Sequence, residues 1–129
     1  MNKASQDNLP TLPSEFGVFL ALDIGGTKIA GGIVNAEGNL LRRATVPTEA
    51  AQGSDHIIAN ASKLARELLQ SHQQVSRIPV LALGVGSVGQ IDYASGRVVQ
   101  ATSALPGWAG TCLKTALGAQ LGLPTFVEN

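Results

Sequence analysis

Apolar residues along the chain fall first into three short runs, Phe16 to Asp23, Lys28 to Asn35 and Leu40 to Val46, separated by glycine-bearing turns. Runs of this length and bounding predict three strands. Asn35-Ala36-Glu37-Gly38-Asn39 has the length and residue types of a hairpin loop, so the opening third reads as an antiparallel meander. From Ser54 the period changes. Ile57, Ile58, Ala61, Leu64, Ala65, Leu68 and Leu69 recur at spacings of one, three and four, which line one face of a helix, with Ser54 as its N-cap and Pro79 beyond its end. Val80 to Leu83 predicts a buried strand before a glycine cluster, and Arg97 to Gln100 a further one. Leu113, Ala116, Leu117 and Leu121 predict a second amphipathic helix, ended by Gly122 and Pro124. Thr125 to Val127 opens another strand. The order of strands and helices implies an α/β layer fold with a mixed sheet. A strand that has just begun when the chain reaches Glu128-Asn129 predicts a fragment of a larger unit.

Composition narrows the classes. The chain has 129 residues, 44% of them hydrophobic, and a formal net charge of zero, which fits one domain with a real core. Neither a disordered tail nor a polyanion-binding surface is suggested, and nucleic acid is not an expected partner. Cys112 is the single cysteine, so no intramolecular disulfide forms, as suits a reducing cytoplasm. No apolar stretch reaches the roughly 18 residues of a membrane span. Residues 1–16 are polar, carry Pro10 and Pro13, and read as a flexible leader without the apolar core of a secretory signal.

The candidate chemistry begins at Asp23-Ile24-Gly25-Gly26-Thr27-Lys28, placed at the end of the first apolar run. An acid at a strand end, two glycines, a hydroxyl and a cation let backbone N–H groups approach an anion with no side chain in the way. A phosphate cradle is the reading. Because Ile29 to Val34 resumes an apolar run, the glycines lie between two strands, unlike the G-x-x-x-x-G-K-[ST] loop, which leads into a helix. Gly84-Val85-Gly86-Ser87-Val88-Gly89 matches G-x-G-x-x-G, but Gln90-Ile91-Asp92-Tyr93 leads to a turn at Ser95-Gly96 and no acid lies near residue 110. A dinucleotide site is therefore disfavoured.

Four motifs between Val18 and Asn129 resemble the ROK group of sugar kinases and related repressors, within the actin-like ATPase superfamily. They are Leu22 to Lys28; Gly84 to Asp92 with Gly96 and Val98; Leu105-Pro106-Gly107-Trp108 with Leu113 and Leu117; and Leu121-Gly122-Leu123-Pro124 running into Val127-Glu128-Asn129. The resemblance implies a ribonuclease-H-like lobe over residues 17–129, cut before a second lobe, belonging to an enzyme that moves the γ-phosphoryl of ATP onto a hexose hydroxyl. Asp23 would serve Mg2+, usually through water, as a hard cation prefers oxygen ligands. Gly25, Gly26 and Thr27 would take the β/γ-phosphates, and Lys28 would add positive charge. Gly89, Gln90, Thr102 and Asn129 would face the sugar. The family's general base is the aspartate that follows Glu-Asn, one position beyond Asn129, so this chain holds no catalytic residue and is expected to be inactive alone. Adenine-binding segments and a Cys/His zinc site belong to the second lobe in this family. The full-length protein is expected to be a cytoplasmic homodimer.

Departures from the family pattern leave the hexose open. Val88 stands where many members have Pro, and Ala101-Thr102-Ser103-Ala104 where glucose-using members often carry Asn; Thr102 is closer to N-acetylmannosamine kinases. Two other functions compete: a sugar-responsive repressor without its DNA-binding module, and an actin-like ATPase that is not a kinase. Trp108 reads as a packing anchor, Cys112 as structural, Asp92 as a turn acid, and His56 and His72 as surface residues flanking the first helix.

Overall fold

The computed structural model describes residues 16–101, 103 and 105–129, so the leader, apart from Phe16, and Thr102 lie outside the described residues. Seven strands and two helices follow in the order β1 (Val18–Ile24), β2 (Lys28–Asn35), β3 (Leu40–Pro47), α1 (Ser54–Val75), β4 (Val80–Ser87), β5 (Gln90–Asp92), β6 (Arg97–Gln100), α2 (Leu113–Leu121) and β7 (Thr125–Glu128). Five strands form a mixed sheet in the order β3-β2-β1-β4-β7, and β5 and β6 form a separate hairpin. The meander β1-β2-β3 is antiparallel, whereas β4 runs parallel to β1 and β7 parallel to β4. This is the actin-like, ribonuclease-H-like arrangement expected of the sequence.

Alternation in the strands sends Val18, Leu20, Leu22 and Ile24 of β1 and Ile29 and Ile33 of β2 to one face. There they meet Ile57, Ala61, Leu64, Ala65 and Leu68 of α1, all buried, in one core that also takes in Leu113 and Leu117 of α2. Gly31 is small because α1 lies on it: a Cβ there would stand 2.8 Å from Leu68 and 3.2 Å from Leu64. The two helices are tied by Ser62, whose buried hydroxyl donates to Gln120 Oε1 at 2.8 Å. The opposite face carries Phe19, Ala21, Asp23, Gly84, Gly86, Phe126 and Glu128, with Phe126 66% exposed.

Three expectations are corrected. The N-cap of α1 is Gly53 at φ 96, and Ser54 is the first helical residue, with no side-chain cap bond. Strand β4 does not stop at Leu83 but continues through Gly84 and Gly86 to Ser87, because parallel partners on both sides supply ladder bonds that outweigh glycine's weak strand preference. His72 is not a surface residue: it is 4% exposed, and its Nε2 donates to the Ile78 carbonyl at 2.7 Å, closing the turn after α1. The remaining strand ends shift by one or two residues, as ends commonly do.

Candidate functional site at the carboxyl ends of three parallel strands

Because β1, β4 and β7 are parallel neighbours, the segments that follow them leave the sheet along one edge, the place where open α/β sheets bind ligands. Asp23 is in register with Gly86, and Gly86 with Glu128, so three residues far apart in sequence form one row across the strands. Neighbouring strands lie about 4.8 Å apart. A Cβ on Gly86 would sit 3.5 Å from Asp23 Oδ1, so the glycine leaves the space beside that exposed carboxylate open.

The turn from β1 to β2 supplies the second component. Gly25 N–H donates to the Lys28 carbonyl at 3.0 Å. The Gly25 carbonyl accepts from Thr48 Oγ1 at 2.8 Å, and the Thr27 carbonyl from Thr48 N–H at 2.8 Å. Among the described residues, the N–H groups of Gly26 and Thr27 have no hydrogen-bond partner. Two free donors on a small-residue turn, beside a carboxylate at Asp23 and the exposed Lys28, fit a polyphosphate with a hard cation, which takes oxygen ligands from one or two carboxylates and the phosphates themselves. No cluster of three or more His, Cys, Asp or Glu that could hold a metal occurs among the described residues.

The third component is the segment after β4. Gly89 holds φ 100, and a Cβ there would lie 2.5 Å from the Gln100 carbonyl, so the backbone itself demands glycine. Next to it Gln90 is exposed. Ser87 is buried, and its hydroxyl accepts the indole N–H of Trp108 at 2.8 Å; Trp108 is fully buried, as a packing anchor should be. Asn129 extends this edge from the end of β7, and Tyr93 donates to its Oδ1 at 3.3 Å.

Asp23, Gly25, Gly26, Thr27, Lys28, Gly89, Gln90 and Asn129 are thus carried on segments leaving one edge of the sheet or on the hairpin beside it. Sequence reasoning missed Thr48, which gave no signal because its partners lie 21 and 23 positions earlier. The residue after it, Glu49, lies in the left-handed region at φ 56. Its carboxylate is 2.8 Å from His56 Nε2 and accepts from Asn60, contacts that hold it below the usual carboxylate range, His56 contributing most. Asp92 accepts from Ser95 Oγ at 2.7 Å, as befits a turn acid. Cys112 is a free thiol at the start of α2, held below the ordinary thiol range chiefly by the Thr115 hydroxyl at 3.3 Å.

Comparison with known proteins finds relatives of this chain in both sequence and fold. A glucokinase of Streptomyces coelicolor is 35% identical over 114 residues, which cover 88% of this chain and 32% of that protein. Among solved structures, a ROK family glucokinase from Streptomyces griseus, in complex with glucose and AMPPNP, is 32% identical with a TM-score of 0.69, covering 88% of this chain and 33% of that one. A ROK hexokinase from Thermus thermophilus is 27% identical with a TM-score of 0.74, covering 87% of this chain and 35% of that one. The chain therefore spans about a third of the length of the relatives it matches. The ROK family model matches residues 19–129. A fold, a sheet edge and a sequence match over nearly the whole described length lead to one conclusion: this chain belongs to the ROK family.

Proposed function

We propose that this chain is the phosphate-binding lobe of a sugar kinase that transfers the γ-phosphoryl of ATP to a hexose hydroxyl. The observation that carries the reading is the row Asp23–Gly86–Glu128 beside a turn with two free N–H donors. Bound MgATP supplies the phosphoryl group, and catalysis of its transfer rests on positioning and on neutralising charge over the phosphate oxygens. Gly26 and Thr27 N–H would donate to phosphate oxygens, Lys28 would add positive charge, and Asp23 would hold the magnesium side, usually through water, the metal neutralising phosphate charge. Asn129 and Gln90 each offer an amide donor and acceptor to neighbouring hydroxyls, a pairing suited to a sugar. In this reading the proton of the attacking hydroxyl would be taken by a carboxylate supplied one position beyond Asn129, as in the family pattern.

Glucose is the first substrate to test, because the Streptomyces griseus relative is in complex with it; N-acetylmannosamine is the second, because of Thr102. The test is ATP-dependent phosphorylation of both sugars by the full-length protein, beside Asp23→Ala and Gly26→Val. Turnover with one sugar that collapses in both variants supports the reading. Unchanged kinetics in both variants would remove this turn from the site, and binding of an operator DNA with no turnover on any hexose would favour a repressor.

A further inference from the structure

Thr48 is fully buried at the end of β3, outside every motif that points to phosphate or sugar. It nevertheless makes two bonds to the phosphate turn, one from its hydroxyl to the Gly25 carbonyl and one from its N–H to the Thr27 carbonyl, each 2.8 Å. We propose that Thr48 is a positioning residue for phosphoryl transfer, setting the direction of the Gly26 N–H, one of the turn's two free donors, before nucleotide arrives.

A peptide unit is planar and trans, so its C=O and N–H point in opposite directions. Pinning the Gly25 carbonyl to Thr48 Oγ1 turns the Gly26 N–H away from β3, and pinning the Thr27 carbonyl to Thr48 N–H does the same for Lys28. Glycines alone would leave these units free to rotate, because a glycine-rich turn has many accessible conformations. A cradle that had to order itself around each nucleotide would bind it more weakly. Thr48 is held in turn from the other side. Glu49, the next residue, sits at a φ of 56 that non-glycine residues seldom adopt, and His56 and Asn60 of α1 grip its carboxylate. Such a conformation persists where surrounding contacts over-determine it, and the contacts here run from α1 through Glu49 and Thr48 to the turn.

The inference rests on the phosphate reading of the turn, and its test separates the two. In the full-length protein, Thr48→Val keeps the branched shape and the N–H bond but removes the hydroxyl, leaving the half-buried Gly25 carbonyl without that donor. We expect KM for ATP to rise about tenfold, the scale of one such lost bond, while KM for the hexose stays within about twofold. Thr48→Ser, which keeps the hydroxyl, should restore most of the loss. A merely structural threonine would lower the melting temperature without this split between the two substrates. If Asp23→Ala and Gly26→Val disable the enzyme while Thr48→Val leaves KM for ATP unchanged, the phosphate reading stands and the role of Thr48 falls. Should the valine variant not fold, hydrogen exchange on the wild type decides. Strong protection of the Thr48 amide without nucleotide supports the clamp, and exchange at the rate of an open chain overturns it.

Discussion

The two sides of the site are held by different means. The proposed phosphate turn is fixed by backbone: a Gly25–Lys28 bond across it, strand ladders at both ends, and the buried Thr48 gripping two of its carbonyls. On the proposed sugar side, the backbone is fixed by the Trp108–Ser87 bond and the tight Gly89 turn, but Gln90 and Asn129 reach outward as exposed side chains. Asn129 has one partner there, Tyr93, at 3.3 Å. A triphosphate is the same whichever sugar is used, so a rigid cradle suits it. A sugar is chosen by a few side chains on a rigid platform, where an exchange alters preference without disturbing the fold.

That contrast can be broken at several points. The largest effect is expected from Trp108→Ala, which empties a fully buried site beneath the sugar side and removes the donor to Ser87 Oγ. Loss of about 3 to 5 kcal/mol in stability is the ordinary scale for such a truncation, measured by denaturant unfolding. Trp108→Phe should cost less, keeping most of the packing and losing the hydrogen bond. Next comes Gly26→Val, where a branched side chain on the cradle displaces the phosphates; kcat/KM should fall by about 10²-fold with stability little changed. Equal losses in both quantities would mean that the turn is a structural hairpin and the contrast is false.

Smaller effects sharpen the other side. Gln90→Ala and Asn129→Ala in the full-length protein should each raise KM for the hexose by about threefold to tenfold, the worth of a neutral hydrogen bond, and leave KM for ATP unchanged. A matching rise in KM for ATP would show that the two sides are not independent. The smallest effect is on pH. The carboxyl of Glu49 is held below its ordinary range by His56 and then Asn60, so its contribution is present above the unfolded carboxyl's pKa and lost as pH falls through the folded one. Comparing melting temperatures of wild type and Glu49→Gln should therefore show a difference near neutrality that fades in acid. A difference that grows in acid would reverse the assignment.

Much of this was legible beforehand where one segment carries the signal. Strand β2 follows from the length and bounding of one apolar run and the apolar face of α1 from its period, because these patterns need no reference to anything distant. The glycine turn between β1 and β2 was legible for the same reason: a small, side-chain-poor run after a strand is a local property. The length of β4 was not, since Gly84 and Gly86 disfavour a strand until β1 and β7 flank them. Nor was burial of His72, whose environment is made by Ile78 after the chain has turned back.

By itself, then, the sequence determined the periods, the turns and the residue types of the proposed phosphate and sugar site, because these depend on neighbours within a few positions. Only the tertiary structure decided that Asp23, Gly86 and Glu128 share a row and that Thr48 holds the turn. Register between strands and bonds across 20 or more residues come from how the layers pack, and no local pattern encodes them.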